Sequence, residues 1–205
     1  RACLERLGWR CHFIQKFEME DRMEFEHVNR GYHQIDFYQN ADELEAWKQG
    51  RTGYPLVDAA MRCLIATGFI NFRMRAMLVS FLTHHLFMHW KDGSDWLAQQ
   101  FLDFEPGIHF SQLQMQAGVT GINTLRIYNP IKQAYDHDAD ATFIKKWVPE
   151  LEKLPIHGAL EPWKMTGMEG GMYGFDLERD YYTPVISPQS LGKKAREVLW
   201  SMRSD

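Results

Sequence analysis

The chain has 205 residues, hydrophobic side chains at 45% and a formal net charge of −4. That length supports one sizeable core or two small ones, and the negative balance excludes a global pull toward nucleic acid, leaving only a local basic patch for such binding. No apolar run of about eighteen residues marks a membrane span, no signal peptide is visible, and Cys3, Cys11 and Cys63, without metal-ligand spacing, predict reduced thiols of a cytoplasmic protein.

The chain opens at Arg1 inside an apparent amphipathic helix and without a methionine, which predicts a fragment of a longer protein. Leu4, Leu7, Cys11 and Ile14 recur at helical spacing, and the polar stretch 18–40 reads as loop with short turns. Asn40 caps and Gly50 stops a short helix; Pro55 opens the next and Gly68 closes it. Residues 68–90, "GFINFRMRAMLVSFLTHHLFMHW", read as one long buried helix, followed by a turn at 91–93 and a helix capped by Ser94. "EPG" at 105–107 breaks the pattern before the helical run "IHFSQLQMQAG". A glycine-rich loop then leads to "RIYNP", and "DATFIKKWVPEL" is helical again. Residues 155–190, with several prolines and the cluster "GMEGGMYGFD", read as mostly irregular, and 191–205 as a terminal helix. No alternating β-branched run supports a strand, so the predicted class is all-α.

Within 68–90, Arg73 and Arg75 stand two residues apart, roughly 200° around a helix axis. Burying an unpaired guanidinium is costly, so each needs an anion on its own side. Asp103 and Glu105, at the end of the following helix, are the inward anions available, and ordinary surface salt bridges are the other reading. His84 and His85 have no carboxylate at metal spacing and read as structural. Aromatics as dense as these thirteen phenylalanines and seven tryptophans usually just fill a core, but they also suit a planar ligand and electron transfer.

Five collinear segments carry a resemblance. "WKQGRTGYPLVDAAMRCL" resembles the G-x-T-G-x-P-x-V-D-A-x-M-R-x-L segment of the photolyase/cryptochrome family, and "GFINFRMRAM" its G-W-M-H-N-R-L-R-M. "LDFEPGIHFSQLQMQAG" is similar to its L-x-D-x-D-x-x-x-N-N-x-x-W-Q-W-x-A-G, "RIYNP" to R-I-F-N-P, and "FIKKWVPEL" to Y-I-x-x-W-V-P-E-L. The resemblance implies that residues 1–205 form the C-terminal part of the family's helical FAD-binding domain. It implies that an N-terminal α/β antenna domain and a Ser/Thr-rich segment for the FAD pyrophosphate lie outside these residues.

The resemblance also implies roles. Arg75 would pair with Asp103 beside the flavin, with Glu105 in place of a second Asp, while Arg73 would meet a DNA phosphate. Trp9 and Arg10 match positions that stack on a damaged base and contact phosphate; a core Trp with a snorkelling Arg is the alternative. Phe72 stands where the family has an asparagine touching flavin and lesion, and His109 where many members face the flavin N5 edge with asparagine. Trp47 and Trp90 match the outer and middle members of an electron-relay tryptophan triad, or are plain core. The flavin-proximal position is Leu113, a break in that relay, with Met115 replacing another tryptophan and Arg6 a usual acid. The implied activity is light-driven, FAD-dependent repair of DNA containing pyrimidine photoproducts, with a cryptochrome-type blue-light photoreceptor as the alternative.

Overall fold

The computed structural model describes residues 2–122 and 124–202, with side chains from Glu5 onward, so the Cys3 thiol and the stretch 203–205 lie outside it. Among the described residues the regular structure is all helical, as predicted. The order is α1 Ala2–Met19, α2 Ala41–Lys48, α3 Pro55–Thr67, α4 Phe72–Ser80, α5 Trp90–Gln100 and α6 Pro106–Ala117. Then follow α7 Pro130–His137, α8 Thr142–Trp147, α9 Ile156–Leu160, α10 Gly167–Tyr173, α11 Leu177–Asp180 and α12 Lys193–Ser201.

Helix α3 is the hub. Pro55 at its first position needs no N–H partner, Gly68 ends it at φ 70°, and most of its length is buried. It packs against α4, α7, α8 and α9. The turn before it is fixed by Asp58, whose carboxylate is fully enclosed and accepts four hydrogen bonds. Thr52 gives its backbone N–H at 2.8 Å and its hydroxyl at 2.6 Å; Gly53 N–H and the Tyr181 hydroxyl complete the set at 3.0 and 2.5 Å. Burial pushes the Asp58 carboxyl upward in pKa, and the Thr52 and Tyr181 hydrogen bonds oppose this. Gly53, at φ 77°, lies so close to the 183–184 backbone that a Cβ would meet Thr183 O at 2.6 Å. The carboxylate thus joins turn, hub helix and C-terminal segment.

The predicted long helix over 68–90 is interrupted. Regular α-helix starts only at Phe72, capped by the Asn71 side chain, and ends at Ser80. A π turn spans Phe81–His85, closed by Leu86 N–H to Phe81 O at 3.0 Å. Phe87 then takes φ 54°, unusual for a residue with a Cβ, and its carbonyl accepts from Tyr38 N–H at 2.9 Å. Apolar periodicity does not reveal the break because the segment is buried on all sides. Trp90 therefore opens α5, capped by His89 rather than Ser94.

Two further corrections concern the second half of the chain. Sequence reading passes over α7, although Asn129 and Pro130 form its cap and first position. Residues 155–190 hold more helix than expected: α9, α10 and α11 cover a little under half of them, short 3-10 turns at Pro162–Lys164 and Pro188–Ser190 add to that, and a Thr166/Glu169 capping box starts α10. His84 and His85 are structural, as predicted. His84 Nε2–H donates to Ala117 O at 3.1 Å and its Nδ1 bonds Ser80 Oγ, while His85 Nε2–H donates to Tyr128 O at 2.8 Å.

Asp58→Asn turns one acceptor oxygen into a donor facing two existing donors. We expect a loss of about 3 kcal/mol in denaturant-measured stability, against a near-neutral change for the exposed Asp42→Asn.

Candidate functional site

Asn71 fixes the start of α4 by accepting from Met74 N–H at 3.1 Å, which puts Phe72 and Arg73 in the first turn and Arg75 on its inner side. A cavity of about 320 Å³ opens between this turn, the end of α5 and the outer face of α6. Its walls are chiefly apolar, among them Phe69, Phe72, Phe101 and Leu113, with Arg75, Asp103 and His109 as the charged or titratable groups.

Arg75 is held on three sides. Its Nε–H donates to Ile70 O at 3.0 Å, Nη2 donates to both Asp103 oxygens at 2.9 Å, and the guanidinium lies 4.1 Å from the Phe101 ring centroid. The predicted pair is therefore present. It is not enclosed, since the side chains are 26% and 53% exposed, so its contribution to fold stability is small. What the contacts do supply is a positive charge with little freedom to move at one edge of an apolar cavity.

His109 lies in the first turns of α6 and is buried. Its Nε2–H donates to Ser94 O at 2.9 Å, which fixes the neutral tautomer with the lone pair on Nδ1. Burial lowers its pKa to about 4; the Ser94 carbonyl and Asp95 oppose that, and Arg75 and Lys91 add to it. The ring at neutral pH is thus an acceptor at Nδ1, not a source of a proton.

Glu105 departs from expectation. Its carboxylate caps α6, accepting from Gly107 N–H at 3.3 Å and Ile108 N–H at 2.9 Å, and it is not part of the cavity wall. Gly107 is where α1 crosses α6, and a Cβ there would meet Ile14 Cα at 2.8 Å.

Trp9 and Arg10 sit on the exposed face of α1, with Trp9 62% exposed and flanked by His12 and Phe13. Arg73 is also exposed and has no ion pair among the described residues. Neither Arg10 nor Arg73 lines the cavity.

Trp47 does not suit an outer, solvent-facing relay position. It is fully enclosed and donates from Nε1 to Leu78 O at 3.1 Å. Trp90 is equally enclosed and donates from Nε1 to His27 Nδ1 at 3.0 Å. Leu113 is a buried wall residue, as expected for its place in the motif.

Sequence reasoning missed Phe69, Phe101 and His27. Phe69 lies within the quoted motif, but only the fold shows it flanking Arg75, and nothing in the sequence joins His27 to Trp90. A second cavity, of about 910 Å³, is lined by Asn29, Tyr32, Asp36, Phe87 and Lys194 among others. Its mixed polar walls lack the apolar enclosure of the first, which is the feature that binds a flat aromatic group.

Comparison with known proteins gives the same direction. The family model described as the FAD binding domain of DNA photolyase matches residues 3–201. A deoxyribodipyrimidine photo-lyase of Alkalihalophilus pseudofirmus is 32% identical over 194 residues, covering 94% of this chain and 40% of that protein. A cryptochrome DASH of Gloeobacter violaceus is 39% identical over 153 residues, covering 74% of this chain and 31% of its own. The crystal structure of a bacterial class III photolyase from Agrobacterium tumefaciens superposes with a TM-score of 0.87 at 27% identity, covering 99% of this chain and 42% of that one. The chain thus spans well under half the length of these relatives. It belongs to the photolyase/cryptochrome family, as part of the FAD-binding domain.

Proposed function

We propose that the full-length protein is a light-driven DNA-repair lyase acting on pyrimidine photoproducts, and that the cavity beside Arg75 holds the flavin ring of FAD. The observation that carries this reading is the immobilised guanidinium at the edge of an otherwise apolar cavity. Such walls fit a flat aromatic ring system that accumulates negative charge at one edge. Reduced FAD supplies a photo-excited electron that opens the lesion.

The chain's own residues have separate tasks in this reading. Arg75, oriented by Asp103 and Phe101, holds the negative edge of the ring. His109 presents an acceptor nitrogen and stays uncharged near neutral pH. Phe72, at the mouth, and the exposed Trp9 offer apolar surface to an extruded base; Arg10 and Arg73 offer charge to phosphates on an otherwise acidic protein. Trp90 serves as an electron donor toward the flavin, across Leu113 rather than through an aromatic at that position. The partners are DNA containing pyrimidine photoproducts and an N-terminal antenna domain in the same chain.

A photoreceptor without lyase activity is the second reading, favoured by Arg6, Phe72 and Leu113 at positions where family members engage lesion or flavin with other residues. Blue-light irradiation of the full-length protein with dimer-containing DNA separates the two. Light-dependent loss of dimers is the expected result; reversible flavin bleaching with no dimer loss is the photoreceptor outcome.

Asp103→Asn should separate cofactor retention from folding. The exposed pair contributes less than about 1 kcal/mol to stability, so Tm should barely move. FAD should wash out faster because Arg75 loses its orientation, which absorbance during dialysis measures. A large fall in Tm with unchanged FAD content would contradict the assignment.

A further inference from the structure

The indole of Trp90 ends on a base, and that contact has chemical consequences. We propose that His27 takes the indole proton when Trp90 is oxidised, so that Trp90 is a proton-coupled electron donor. The proposal rests on the reading of Trp90 as a donor to flavin.

Trp90 is completely enclosed, and its Nε1–H has His27 Nδ1 as acceptor at 3.0 Å. A buried indole N–H needs an acceptor, and Trp47 finds a carbonyl, Leu78 O. A carbonyl accepts a hydrogen bond but is a very weak base. An imidazole nitrogen accepts the same bond and can keep the proton. Trp90 and Leu97 are seven residues apart on α5, which puts them on one face about 10 Å apart along the axis, and Leu97 is a wall residue of the flavin-type cavity.

The protonation state of His27 follows from its neighbours. Because indole only donates, His27 Nδ1 carries the lone pair and Nε2 the hydrogen. The neighbouring His89 caps α5, its Nδ1 accepting from Lys91 N–H at 3.0 Å. His27 Nε2 faces His89 Nε2 at 3.1 Å. Together with burial, His89 and His33 lower the pKa of His27 to about 3, so it takes no proton from water near neutrality. This does not oppose the proposed step. Once Trp90 has lost an electron the site already holds a positive charge, and the proton only moves that charge across one hydrogen bond.

The balance is simple. One electron leaves the Trp90 ring for photo-excited oxidised flavin, the Nε1–H bond breaks, and the proton forms a bond to His27 Nδ1. A neutral indolyl radical and an imidazolium remain. The proton stays on His27 Nδ1, between the two rings, and returns when the electron returns.

Flash photolysis of full-length protein containing oxidised FAD tests this through the visible spectrum of the tryptophan radical. Wild type should show the neutral radical, formed more slowly in protein expressed in D2O. His27→Asn keeps an acceptor but removes the base, and should leave the radical cation losing its proton about 100-fold more slowly, with FAD content unchanged. The isotope effect in wild type stands even if that variant folds poorly. A wild-type radical cation as long-lived as in His27→Asn, or no isotope effect, would overturn the role of His27 alone. The same tryptophan radical persisting in Trp90→Phe would overturn both this role and the reading of Trp90 as donor.

Discussion

The carboxylate of Asp58 is the constraint on which the arrangement depends. It lies wholly inside the protein and is tolerated there because four donors converge on it, three from the turn before α3 and one from Tyr181, 123 residues along the chain. Tyr54 adds a second link, its hydroxyl donating to Ile186 O at 2.7 Å. Arg62, one turn further along α3, donates to Gly50 O and is paired with Glu150 at 2.8 Å. Local turn, hub helix and distant segments are therefore held by a buried cluster around Asp58, with the part-exposed Arg62–Glu150 pair beside it. A buried polar cluster stabilises only when its members are satisfied, and both Asp58 oxygens accept two hydrogen bonds each.

From that hub the site is built by succession. Gly68 ends α3 in the left-handed conformation, and its carbonyl accepts from Leu102 N–H at 3.0 Å, which brings the end of α5 beside the start of α4. Asp103 thereby comes within reach of Arg75. Contacts to Ile70 O, Asp103 and Phe101 hold Arg75 at this corner without burying it. A half-exposed pair is weak as a stabiliser and useful as a fixed charge, which suits a site that must accept an anionic edge. The break at residues 81–87 has a related effect. By ending α4 early and starting α5 anew, it turns Trp90 toward His27, an arrangement that an uninterrupted helix would not give.

Much of this was legible in the sequence where the signal is local. Pro55 and Gly68 mark the ends of α3, Asn40 caps α2, and the all-α class follows from spacing alone. The Arg75–Asp103 contact was legible through the resemblance of its two motifs to the family's N-R-x-R and D-x-D, while the expectation of two buried charges did not hold, since the pair is half exposed. The failures are of another kind. Glu105 looked like an inward anion, but three residues read together, Glu-Pro-Gly, describe a helix cap, and its carboxylate accepts from the α6 backbone instead of lining the cavity. The π turn and the left-handed Phe87 leave no compositional mark in a segment buried on every side. The His27–Trp90 bond joins residues 63 apart through tertiary packing only.

The central claim is that the flavin ring occupies the cavity beside Arg75 rather than the larger polar one near Lys194. Hydrogen–deuterium exchange on flavin-free full-length protein, with and without added FAD, tests it most directly. Within this part of the chain, the account predicts new protection over residues 69–76 and 103–116, with little change over 29–36 and 194–202. Protection centred on 29–36 and 194–202, with the Arg75 corner unchanged, would contradict it.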